Sequence, residues 1–95
     1  MDIKKLRLII LKELDNGNTD LNSEVLLTND DTLIKAAEFL EKEELISGVE
    51  YYHSPRVDFT DAHVTLKGEK FLKENSNLFK FYKGLKEIKD WIPGM

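Results

Sequence analysis

The chain has 95 residues, no cysteine, 14 basic and 18 acidic side chains, and 41% hydrophobic residues. That length fits a single domain, residues 1–95, near the lower limit of what folds alone; without cysteine there is no disulfide scaffold, thiolate metal site or cysteine nucleophile, and the composition fits a reducing cytoplasm. No apolar run approaches the ~18 residues of a membrane span, no signal peptide opens the chain, and the net charge of −4 argues against the simplest nucleic-acid binder.

Asp2 is placed to cap a helix over Ile3–Leu14, because its carboxylate can accept an unpaired N–H of the first turn. Ile3, Leu6, Ile10 and Leu14 recur at the helical period, Ile9 and Leu11 widen the face, and Leu8 lies almost opposite. A helix this apolar is covered on more than one side. Arg7 projects within the stripe. Either it needs a partner when buried, or it lays its stem on apolar surface and keeps its head in water. Asp15–Asn18, with Gly17, ends the helix.

Asp20–Leu27 predicts a short helical segment, and Thr28 with Asp31 suggests a capping box for a longer helix from Asp30 to about Glu44. Leu33, Ala36, Ala37 and Leu40 form its core stripe. Ile46–Tyr52 is β-branched and aromatic enough for a strand, and Ala62–Leu66 alternates as a half-buried strand. Val57 and Phe59 can add a short third strand within the intervening loop. Thr65 then caps a helix to about Asn75, where Gly68 implies close packing against the sheet. Leu78, Phe81, Tyr82, Leu85, Ile88 and Ile92 give a terminal helix over about 78–92, stopped by Pro93-Gly94.

The expected fold is therefore α+β: a winged helix-turn-helix with a small antiparallel sheet as the wing, about 46–66, and an extra C-terminal helix. Several motifs also carry a resemblance. Ile10–Gly17 (ILKELDNG), Val64–Ser76 (VTLKGEKFLKENS) and Tyr82–Gly94 (YKGLKEIKDWIPG) resemble the YjcQ family, small proteins of bacteria and their phages. The resemblance covers nearly the whole chain, implies a winged-helix fold, and carries over no functional residues.

Charge sets the functional expectation. Residues 1–65 hold 7 Lys/Arg and 14 Asp/Glu, whereas residues 66–95 hold 7 lysines and 4 acids. The helix that would enter a DNA groove carries Asp31, Lys35, Glu38 and Lys42 on its outer face, two acid-to-lysine pairs at i,i+4. The candidate nucleic-acid contacts are Lys35, Lys42 and Arg56, few for a partner with a charge every ~1.7 Å. DNA is thus disfavoured, and a homodimer or protein partner is favoured. Phe79, Trp91 and Leu8 are the candidate interface residues, because aromatic side chains are enriched at protein contacts. His53 and His63 flank a loop with Asp58 and Asp61, without tight metal-ligand spacing. No nucleophile elbow or phosphate-cradling glycine loop occurs. The expectation is a non-catalytic binding module with no cofactor, no metal and no evident small-molecule substrate; the alternative is a DNA-binding regulator.

Overall fold

The computed structural model describes residues 2–80 and 82–88. It is an α+β structure with three helices: α1 (Ile3–Asp15), α2 (Asp30–Lys42) and α3 (Leu66–Glu74). Four short strands, β1 (Ile46–Ser47), β2 (Glu50–Tyr52), β3 (Arg56–Asp58) and β4 (His63–Val64), lie between α2 and α3. Two 3-10 turns, Ser76–Phe79 and Leu85–Glu87, follow.

The caps decide where the helices begin. Asp2 accepts from the Lys4 amide at 3.1 Å, and Thr65 accepts from the Gly68 amide at 3.0 Å, as expected from sequence. α2 is capped by Asn29 rather than Thr28, with its side chain accepting from the Thr32 amide at 2.8 Å. Asparagine caps at least as well as threonine, and the helix begins at Asp30, where it was expected.

Leu6, Ile9, Ile10, Leu11 and Leu14 of α1 are all buried, and α2, α3 and β4 all pack against this helix. Its broad apolar face is thus accounted for by three neighbours. Residues 22–28 make a single turn instead of the expected helical segment. Asn22 caps it by accepting from the Val25 amide at 2.9 Å, and Leu27, at φ 54°, leaves the right-handed helix. One turn fixes too few hydrogen bonds to sustain itself. The burial of Leu21 and Leu26 in the core anchors it.

The strand expected over Ile46–Tyr52 is split. β1 pairs antiparallel with β4, placing Ile46 opposite Val64, while β2 pairs antiparallel with β3, placing Tyr51 opposite Val57. The break falls at Gly48–Val49, where the Glu41 side chain takes the Val49 amide at 3.2 Å, a donor a continuous strand would have offered to its ladder. Phe59, just beyond β3, is 1% exposed and plugs the core. Gly68 lies against the Leu45 carbonyl, where a Cβ has no room, which is the close packing its place inside a helix implied.

The terminal helix expected over 78–92 is not formed across the described residues. Tyr82–Gly84 are non-helical, and Gly84 adopts φ 107°, a conformation L side chains rarely take. The buried set also differs from the helical stripe: Leu78, on the stripe, is 43% exposed, whereas Phe79, off it, is buried. Phe79, Tyr82, Leu85 and Ile88 instead dock one after another on the core. Residues 89–92 of that expected helix lie outside the described residues.

Candidate binding surface

Two flanks of the molecule carry the candidate chemistry. On the first, Asp31, Lys35, Glu38 and Lys42 are all exposed on α2, and Glu43 and Glu44 follow them, also exposed. Asp30 and Asp31 in the first turn and Lys42 in the last complement the helix dipole. The acids at this surface therefore have a structural use. Arg56 is on β3, which packs against α2, and it shares a surface depression with Asp30 and Leu33 of that helix. Its guanidinium lies 5.8 Å from the centroid of the exposed Tyr52 ring. Glu41 ties the wing to α2, accepting from the Tyr51 hydroxyl at 2.7 Å. Burial, followed by this bond, pushes the Tyr51 hydroxyl above its ordinary range.

The second flank is a groove of about 450 Å³ between α1, the C-terminal end of α2 and α3. Leu8, Leu11, Leu40 and Phe71 form its apolar walls. Arg7 lines it too, with its guanidinium carbon 3.6 Å from the centroid of the Phe39 ring. Sequence reasoning left two fates for Arg7, a buried partner or a wet head on an apolar stem. The structure is nearer the second: Arg7 is half-buried, its guanidinium stacks on an aromatic face, and Nε is enclosed without a hydrogen-bond partner.

A further charged residue escaped the sequence reading. Glu13 is 7% exposed and accepts from the Tyr82 hydroxyl at 2.7 Å and the Asn18 side-chain amide at 2.8 Å. Burial, and then the bond to Glu13, raise the Tyr82 hydroxyl well above its ordinary range. The available signal was positional: Glu13 is one turn from Ile9 and Ile10 on a helix apolar nearly all round.

Residues 4–91 of the chain match the model of a family described as YjcQ protein. The chain belongs to the YjcQ family. It is 43% identical over 93 residues to "Uncharacterized protein YjcQ" of Bacillus subtilis (strain 168), an alignment covering 97% of this chain and 99% of that relative. No solved structure matches significantly. The part matched to the YjcQ family includes the groove, the Glu13 network and the wing.

The expected interface residues do not converge. Leu8 is half-buried at the groove, whereas Phe79 is buried in the core of its own chain, with the Lys12 ammonium 5.6 Å from its ring centroid. Trp91 lies outside the described residues. His53 occupies the turn between β2 and β3, while His63 is on β4 of the other sheet. Among the described residues no three His, Cys, Asp or Glu side chains gather as metal ligands, and no helix is long and apolar enough to cross a membrane.

Proposed function

We propose that residues 1–95 act as one winged-helix unit: a non-catalytic, cytoplasmic binding module whose partner is a protein, a second copy of itself included. The observation that carries this reading is the exposed face of α2. Its two lysines are matched by Asp31 and Glu38, and Glu43 and Glu44 extend the negative charge. Binding to duplex DNA draws on several uncompensated cation–phosphate contacts, and this helix offers none. Leu66 is 83% exposed at the start of α3, which supplies apolar surface that a protein can cover. The competing reading, a DNA-binding regulator, rests on Lys35, Lys42 and Arg56.

The two readings separate in solution. Light scattering on a sizing column should show mass above the 11.0 kDa monomer as concentration rises, and Leu66→Lys should lower it. Fluorescence anisotropy with random duplex DNA at about 50 and 200 mM salt should show no steeply salt-sensitive binding. Micromolar DNA affinity that collapses at the higher salt, and that Lys35→Ala or Arg56→Ala weakens, would overturn the protein-partner reading.

A further inference from the structure

The groove between α1, α2 and α3 has the half-buried guanidinium of Arg7 in its wall. Arg7 Nε is buried and has no hydrogen-bond partner, although such a group buried unpaired costs about 1–3 kcal/mol. The guanidinium stacks on Phe39 at 3.6 Å, an arrangement that holds its plane; with Nε enclosed by the protein, a planar anion would meet the two terminal nitrogens. Lys4 and Lys67 also line the groove, against the single acid Glu43. The lining is thus cationic in a chain whose net charge is −4. Leu8, Leu11, Leu40 and Phe71 make the walls apolar, and the volume of about 450 Å³ falls in the ~300–1,000 Å³ range of small-ligand sites.

We infer that this groove binds a small amphipathic carboxylate, of the class of a medium-chain fatty acid. The carboxylate meets Arg7, which can engage it through two N–H groups. The hydrocarbon body lies along Leu8, Leu11 and Phe71. Lys4 and Lys67 add attraction at longer range. Glu43 works against a bound anion, and the three cations of the lining outnumber it. A nucleic-acid phosphate backbone would bring many charges and no apolar body to this lining, so the complementarity selects a single carboxylate on a hydrocarbon chain. This site uses none of Asp31, Lys35, Glu38 and Lys42 and stands whether or not a protein partner is found.

The test uses the full chain titrated with decanoate below its micelle range, with decanol and decyltrimethylammonium as neutral and cationic controls. Binding is read by calorimetry and by NMR of the Leu8, Leu11 and Phe71 side chains. The expected result is saturable binding with shifts at those residues, and decanoate about 10- to 100-fold tighter than decanol. Arg7→Met should bring decanoate down to the level of decanol. Arg7→Lys, which keeps the charge without the planar fork, should keep a reduced preference. Equal binding of decanoate and decanol to the unsubstituted protein overturns the inference without any variant. So does a preference that survives Arg7→Met, or an absence of saturable shifts at the groove.

Discussion

On one flank of α1, Glu13 is enclosed and accepts hydrogen bonds from Tyr82 and Asn18; on the other, Arg7 lies against Phe39 with a buried donor unpaired. The two residues are six positions apart, less than two helical turns. A buried carboxylate is tolerated when donors satisfy it and is costly otherwise. Glu13 obtains one donor from the loop that follows α1 and one from a residue 69 positions away. It thereby fixes where the segment after α3 meets the first helix. Arg7 obtains an aromatic face and no acceptor for Nε. The contrast separates two placements of charge on an apolar helix: Glu13 completes a network that holds the chain together, whereas Arg7 lies in the wall of a groove.

The largest expected effect comes from removing the completed side. Glu13→Ala leaves the Tyr82 hydroxyl and the Asn18 amide without their acceptor and should cost about 2–3 kcal/mol. In a domain this size that lowers the melting temperature by about 10 °C or more. Tyr82→Phe removes one donor of the two and should cost about 1–2 kcal/mol, read as a shift in urea midpoint. The two losses should not add, because both substitutions break the same contact; additive losses would show that the network is not one unit.

Alkali gives a second way to sharpen the point. The Tyr82 hydroxyl is held above its ordinary value of 10.0 by burial first and by Glu13 next. In the unfolded chain it ionises at the lower, ordinary pH. Its contribution to stability is therefore complete below about pH 10 and declines as pH rises from there toward the folded value. Tyr51 and Tyr52 titrate in the same direction, so the diagnostic is a difference: between about pH 9 and 11 the unsubstituted protein should lose more stability than Tyr82→Phe. Parallel pH profiles would remove Tyr82 from the account.

Much of the helical frame was legible because its causes are local. Asp2 and Thr65 announce their caps, the apolar stripes of α1 and α2 follow the 3.6 period, and Gly68 signalled close packing. Several of the departures come from distant contacts. The Glu41 bond to Val49 splits a strand whose β-branched sequence was locally sound. Phe79 and Tyr82 dock on α1 and override a helical stripe that Gly84 interrupts. Glu13 looked like one more surface acid, because its partner Tyr82 is remote in sequence. Of the candidate sites, the charge pattern around Lys35 and Lys42 and the position of Leu8 opposite the α1 core could be read from spacing. The groove could not, since Phe39 and Phe71 reach Arg7 and Leu8 only after α2 and α3 have packed.

The smallest effect should be that of Arg7→Met, and it is the one that can break the comparison. The substitution gives up a cation–aromatic contact of about 0.5–1 kcal/mol, but it also removes a buried donor that nothing satisfies, and methionine can fill the space left by the arginine stem. These changes oppose each other, so the net shift should lie within about 1 kcal/mol of zero in either direction. Urea unfolding with an unchanged slope would show that the midpoint reports stability alone. A loss as large as that of Glu13→Ala would place Arg7 among the residues that hold the fold. A midpoint that hardly moves, beside a large loss for Glu13→Ala, would mean that the fold does not depend on the guanidinium, since an apolar residue serves it equally well.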